Sequence, residues 1–67
     1  MKLQGIVSWF DSLNGIGEIE SNGLIFFVRS DCLTGDYFKG KFLNLNDGDI
    51  VSFTPKKTLA KKVNVLK

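Results

Sequence analysis

The dipeptide Asn22-Gly23 is the feature that most constrains how this chain can fold. It separates two short runs, 16–21 and 24–29, that are rich in apolar and β-branched residues. A two-residue hairpin loop of type I′ requires positive φ at both central positions, and Asn followed by Gly adopts it readily. The sequence therefore predicts an antiparallel hairpin with strands Ile16–Ser21 and Leu24–Arg29.

Three further segments have the composition of strands. Lys2–Phe10 shows no helical periodicity and predicts a first strand. Asp49–Thr54 predicts a fourth strand that Pro55 should end, because proline cannot donate to a ladder. Ala60–Leu66 alternates valines with other residues and predicts a fifth. Five short strands in 67 residues, without a helix of ordinary length, favour a small closed or partly open barrel.

The connections between these strands carry turn signals. The segment 11–15 predicts a turn in which Asp and Asn bond nearby backbone and Gly15 takes positive φ. Ser30–Leu33 predicts one helical turn. Thr34–Gly48 is too long for a minimal hairpin loop, and a loop of this length in a compact domain is usually functional.

Composition excludes several classes of protein. The chain is expected to form one domain, residues 1–67. A single cysteine, Cys32, excludes an internal disulfide, and the absence of histidine disfavours a zinc site, so no metal or cofactor is expected. No signal peptide or apolar span is recognisable, which predicts a cytoplasmic protein without a membrane partner. A monomer is favoured.

Positive charge is unevenly distributed along the chain. Residues 1–33 carry two basic and four acidic side chains, a net charge of −2, whereas residues 34–67 carry seven basic and three acidic, a net charge of +4. The basic residues therefore lie away in sequence from Trp9 and from the phenylalanines of the predicted hairpin.

Alternation along the third strand separates two sets of side chains. Phe26 and Val28 share one face, and Phe27 and Arg29 share the other. An outward Phe27 beside an outward Trp9 would form a contact surface, since clustered exposed aromatic rings usually mark one. The alternative is that both rings belong to the core.

The segments GIVSWFD, NGIGEI and FFVRS resemble, in order and spacing, three signatures of the bacterial cold-shock domain, G-x-V-x-W-F-N, K-G-F-G-F-I and V-F-V-H-F. LNDGDIVSF and VNV are similar to its L-x-E-G-Q-x-V-x-F and A-x-N-V. The resemblance covers nearly the whole chain. It implies an all-β fold, a five-stranded antiparallel barrel of the oligonucleotide-binding (OB) type, and binding of single-stranded RNA or DNA by base stacking. Some members of the family act as RNA chaperones or antiterminators.

The resemblance also implies which positions bind nucleic acid. Trp9 and Phe27 stand where the family has stacking aromatics, Phe10 where it has the adjoining Phe, and Phe38 where it has a loop aromatic. Mixed basic and aromatic residues suit a single strand, because cations follow phosphates while rings take bases. The basic candidates are Lys56 and Lys57 near the last turn, with Lys61 and Lys62, and Lys39 and Lys41 beside Tyr37 and Phe42 in the long loop. Ordinary solvated surface is the alternative for the lysines of 56–62.

Several positions depart from the family pattern. Ile16 and Glu18 replace the two Phe of the second signature, and Arg29 and Ser30 replace the His and Phe of the third. Basic residues are also missing at Ser8 and Asn14. Each lost stacking contact is worth about 1–3 kcal/mol, so weakened or altered binding is expected. Ile16 is retained as a candidate contact, and Arg29 as a substitute one, since a guanidinium stacks on bases and pairs with phosphate.

Two other classes of function compete with nucleic-acid binding. A protein-interaction module could use an apolar patch of Trp9, Ile16 and Phe27. An enzyme is the least favoured class, because the chain has no histidine and no base close in sequence to Cys32 that would activate its thiol. Glu18 and Glu20 share a strand face, which indicates surface charge.

Overall fold

The computed structural model describes residues 1–35, 38 and 44–66. Within these ranges it contains five strands and a 3₁₀ turn: β1 (Leu3–Asp11), β2 (Ile16–Ser21), β3 (Leu24–Arg29), the turn (Ser30–Cys32), β4 (Ile50–Lys56) and β5 (Leu59–Val65). The predicted bounds of β2 and β3 are confirmed, and the other strands differ by one or two residues at their ends. No helix in these ranges has the length and apolar character needed to cross a membrane.

The strands close into a barrel in the order β1-β2-β3-β5-β4. Strand β1 has two neighbours: Leu3–Ile6 pairs with β4, and Ile6–Asp11 pairs with β2. These pairings and the β2–β3 and β4–β5 pairings are antiparallel. The barrel closes between β3 and β5, where Phe27 lies opposite Leu59 in a parallel pairing. The predicted all-β OB-type barrel is confirmed, and one of its pairings is parallel.

The predicted turns are present. Asn22 and Gly23 both have positive φ, 53° and 79°, as a type I′ hairpin requires. Between β1 and β2, Gly15 has a φ of 68° and its N–H donates to the Asp11 carbonyl at 2.7 Å. The Asp11 carboxylate accepts hydrogen bonds from the Leu13 N–H at 3.0 Å and the Asn14 side chain at 2.7 Å.

The core lies inside the barrel and follows the predicted alternation. On β3, Phe26 and Val28 point inward, and the ring of Phe26 packs against Phe53 with a centroid distance of 5.0 Å. Within the described ranges, the remaining buried apolar side chains come from β1, β2, β4, β5, the 3₁₀ turn and the stretch between that turn and β4: Val7, Ile19, Cys32, Leu33, Phe38, Leu45, Val51, Ala60, Val63 and Val65.

Pro55 does not end β4, contrary to the prediction, because the strand continues to Lys56. Lys56 and Leu59 flank a two-residue hairpin loop, and Pro55 pairs with Ala60. The pair next to such a loop is hydrogen-bonded and the following pair is not. The nitrogen of Pro55 therefore faces away from β5. On its other side β1 begins only at Leu3, which pairs with Phe53, so the missing donor leaves no ladder bond unmade.

Candidate nucleic-acid interface

A bulge in β1 determines where the Trp9 side chain points. Val7 lies opposite Ile19 and is buried, whereas Trp9 lies opposite Glu18, with the register shifting at Ser8 between them. Without this shift, alternation would place Trp9 on the same inward face as Val7. The extra residue turns the indole outward, so that Trp9 is 39% exposed.

Trp9 belongs to a row of side chains that crosses four strands in register. Glu18 on β2 lies opposite Trp9 on one side and Phe27 on the other, and Leu59 of β5 follows Phe27. Phe27 is 49% exposed, and Glu18 and Leu59 are partly buried. We call Trp9, Glu18, Phe27 and Leu59 the aromatic row. Both rings of the row are accessible, so the reading in which they are core is wrong.

An open depression of about 480 Å³ lies along the aromatic row. Its volume falls within the range of about 300–1,000 Å³ typical of ligand sites. Ile16 contributes an exposed apolar side chain, and Arg29 supplies the cation. The complete lining is Trp9, Ile16, Gly17, Phe27, Val28, Arg29 and Leu59. The surface is therefore mostly apolar, with a guanidinium able to contact a base or a phosphate.

The barrel brings basic residues of the second half of the chain to this surface. The Phe27 N–H donates to the Thr58 carbonyl at 2.7 Å, which fixes the β4–β5 hairpin loop beside the aromatic row. Lys56 and Lys57 lie in this hairpin and are exposed. The separation of charge from rings along the sequence is thus removed by the β3–β5 pairing.

The lysines of 56–62 do not all lie on one surface, however. Lys61 and Lys62 line a second depression, of about 370 Å³, together with Lys56, Asp31, Cys32 and Thr34. Lys56 is the member shared with the hairpin beside the aromatic row. Lys57 does not line this second depression, so the structure separates it from Lys61 and Lys62, which the sequence presents as part of one cluster.

Gly17 allows β1 and β2 to approach closely beneath the site. A Cβ at this position would lie against the Trp9 carbonyl and 2.7 Å from Cδ1 of Phe10. Phe10 pairs with Gly17 and is partly buried against the core.

The Asn14 side chain, together with backbone N–H groups of Asn14 and Leu13, lowers the pKa of Asp11 below its ordinary value of 3.8. The loop that joins β1 to β2 is thereby held by an ionised carboxylate.

Comparison with known proteins identifies the family. No family model matches the chain. It is 44% identical over 54 residues to the cold shock-like protein CspE of Bacillus anthracis, an alignment that covers 79% of this chain and 75% of the relative. The chain belongs to the cold-shock protein family.

The predicted contact residues of this cold-shock protein fall into distinct groups. Trp9, Ile16, Phe27 and Arg29 line the same depression. Lys56 and Lys57 lie in the adjacent hairpin, and Phe10 is partly buried beside Gly17.

Phe38 departs from the prediction, and four other candidate residues of the long loop lie outside the described residues. The side chain of Phe38 is only 6% exposed and packs in the core, so its predicted place as an accessible loop ring is wrong. A loop phenylalanine gains more free energy by filling the barrel interior than by facing water. Lys39, with Tyr37, Lys41 and Phe42, lies outside the described residues.

Sequence reasoning missed two features of the surface around the aromatic row. Leu59 extends the aromatic row, but it does so through the parallel β3–β5 pairing, for which neighbouring residues carry no signal. The bulge at Ser8 was also missed, because neither Gly nor another bulge-forming residue marks it. Among residues 1–35, 38 and 44–66, no group of three or more His, Cys, Asp or Glu side chains is placed to hold a metal ion.

Proposed function

We infer that this cold-shock protein binds single-stranded RNA or DNA through the outer surface of β1–β3. The observation that carries the proposal is the pair of exposed rings, Trp9 on β1 and Phe27 on β3, which lie in register on either side of Glu18 on β2. Flat exposed rings beside a basic hairpin provide the two elements that sequence-tolerant single-strand binding requires, stacking and phosphate neutralisation. Roles as an RNA chaperone or as a regulator of transcription or translation are consistent with this binding.

The roles divide by chemistry. Trp9 and Phe27 stack bases, Ile16 and Leu59 provide apolar contact between and beside them, and Arg29 pairs with a phosphate or stacks on a base. Lys56 and Lys57 follow the phosphate backbone from the hairpin beside Phe27. Phe10 packs against the core and supports β1, the strand that carries Trp9.

Affinity for oligothymidine is lower than a complete row of rings would give. Ile16 and Glu18 occupy the two positions where the family pattern has phenylalanine. Loss of two stacking contacts, at about 1–3 kcal/mol each, lowers affinity by roughly 10²-fold or more. Glu18→Phe restores one ring to the aromatic row and is expected to raise oligothymidine affinity about tenfold.

Titration with an oligothymidine of about seven nucleotides, at low salt and followed by Trp9 fluorescence, tests the proposal. Binding should quench or shift the emission and weaken with added salt. Phe27→Ala should lower affinity about 5- to 100-fold, measured with a labelled oligonucleotide. Ile50→Ala is the matched control, because Ile50 is equally exposed, at 50% against 49%, but lies on β4 away from the aromatic row.

Absence of binding at high micromolar concentration would overturn the proposal. Equal losses of affinity in Phe27→Ala and Ile50→Ala would show that the aromatic row is not the binding surface. Replacing Lys56 and Lys57 together by Gln should reduce the slope of log affinity against log salt by about one to two. An unchanged slope would exclude the hairpin from the phosphate path.

A protein-interaction module is the second candidate. The observation that favours it is the mostly apolar lining of the 480 Å³ depression, in which Ile16 stands in place of a ring. Such a surface suits an apolar side chain of a protein partner. Capture of a partner that resists nuclease treatment and is lost in Trp9→Ala would favour this function over nucleic-acid binding.

A further inference from the structure

Glu18 lies at the centre of the aromatic row. Its neighbours in register are the two exposed rings, Trp9 on one side and Phe27 on the other. Within the described part of the chain, neither a hydrogen bond nor an ion pair engages the Glu18 carboxylate. Two acceptor oxygens for which the described residues supply no donor therefore lie between the two exposed rings.

The chemistry of a carboxylate discriminates among the bases. An ionised carboxylate only accepts hydrogen bonds, and its two oxygens favour a pair of adjacent donors. Guanine presents such a pair, N1–H and the N2 amino group, on its Watson–Crick edge. Cytosine and adenine present one amino group beside a ring acceptor. Thymine and uracil present a single N3–H between two carbonyl oxygens, and these oxygens repel a carboxylate.

We propose that Glu18 makes this surface selective for guanine in a single strand, through a bidentate contact with the N1–H and N2 amino donors. The inference rests on the proposed nucleic-acid binding and names the base that the site prefers. A guanine stacked on Trp9 or Phe27 directs its Watson–Crick edge toward Glu18. Thymine or uracil in the same place loses both hydrogen bonds and meets like-signed partial charge.

Arg29 supports the same preference from the other edge of the base. It lies outward on β3, two residues after Phe27, and lines the depression. Diagonal positions on neighbouring strands are about 7–8 Å apart, within reach of long side chains. A guanidinium pairs with guanine O6 and N7, the edge that Glu18 does not contact. The two side chains therefore contact adjacent edges of one purine.

A plain surface charge at Glu18 would act differently. Repulsion of the phosphate backbone lowers affinity for every oligonucleotide by the same factor, whatever its bases. A contact with base donors changes the ratio of affinities between sequences. Selectivity, rather than affinity, is therefore the quantity that decides the proposal.

The experiment compares a labelled oligothymidine of about seven nucleotides with the same oligonucleotide carrying one central guanine. Fluorescence anisotropy is the readout, since guanine itself quenches tryptophan. The guanine oligonucleotide should bind about five- to tenfold more tightly, the lower part of the range for a bidentate base contact. Inosine, which lacks the N2 amino group, should lose most of the gain. 7-Deazaguanine, which lacks N7, should keep the part due to Glu18.

Glu18→Gln removes the charge while keeping the shape of the side chain, and should bring the guanine-to-thymine affinity ratio close to one. Glu20→Gln is the matched control: it removes the same charge two residues along β2, where the register partners are Ile6 and Ile25. It should leave the ratio unchanged. A wild-type ratio near one, or a ratio that survives Glu18→Gln, overturns the proposal while nucleic-acid binding stands. No binding of either oligonucleotide overturns both.

Discussion

The β2–β3 hairpin has two faces that relate differently to the family pattern. On the inner face, Ile19, Phe26 and Val28 are buried and keep the apolar character of the family signatures. On the outer face, Glu18 and Arg29 replace an aromatic ring and a histidine. One pair of strands thus carries a conventional core and an altered surface. Because alternate side chains of a strand have different surroundings, the surface can change its chemistry without loss of the fold.

Truncating one phenylalanine on the inner face and one on the outer face of the barrel should give the largest difference in stability between the two faces. Phe53→Ala removes a fully buried ring and should lower the free energy of unfolding by about 3–5 kcal/mol. Phe27→Ala removes a half-exposed ring and should cost less than about 1 kcal/mol. Urea denaturation followed by circular dichroism measures both. If Phe53→Ala does not fold, Phe53→Leu provides a milder variant. Similar losses in Phe27→Ala and Phe53→Ala would contradict the division between the faces.

Local chemistry predicts the inner face better than the outer one. The bounds of β2 and β3 follow from the Asn22-Gly23 turn and from alternation, which act over neighbouring residues. The direction of Trp9 depends on a bulge, and the neighbour of Phe27 depends on a parallel pairing with β5. These features arise when distant segments meet. Burial of Phe38 is likewise a property of the assembled barrel, so residue type alone does not predict it.

Gly17 tests whether the two faces are mechanically independent. It points inward between the outward Ile16 and Glu18. In Gly17→Ala, the new Cβ meets the Trp9 backbone and the Phe10 ring, which forces β1 and β2 apart and should cost about 1–3 kcal/mol. The displaced Trp9 should also weaken oligonucleotide binding.

The control for Gly17→Ala is Gly23→Ala, where an added Cβ meets nothing within 4 Å but φ is 79°. That variant should lose about 1 kcal/mol from backbone strain alone and keep its affinity. Unfolding and anisotropy measurements on both variants decide the matter. Unchanged affinity in a folded Gly17→Ala protein would show that the position of Trp9 does not depend on this close approach.

A second bulge, in β5, offers a test in which two variants change the net charge by the same amount. Lys62 lies at the register shift opposite Phe53 and has a φ of 51°, a conformation that favours glycine. Lys62→Gly should therefore stabilise the fold by up to about 1 kcal/mol. Lys61→Gly removes the same charge from ordinary strand backbone and should destabilise it by about 0.5–1 kcal/mol. Changes of the same sign in the two variants would show that charge, rather than backbone conformation, controls stability here.

The smallest expected effect on stability comes from the loop that joins β1 to β2. The Asn14 side chain holds the pKa of Asp11 below 3.8, so the folded state binds this proton less readily than the unfolded state. The resulting stabilisation is complete above about pH 4 and is lost as pH falls through the folded-state pKa. Asn14→Ala should therefore flatten the acid dependence of stability. Urea midpoints between about pH 2 and 6 measure it, with Ser12→Ala in the same loop as control. If stability falls with decreasing pH as steeply in Asn14→Ala as in the wild type, carboxylates other than Asp11 cause that dependence.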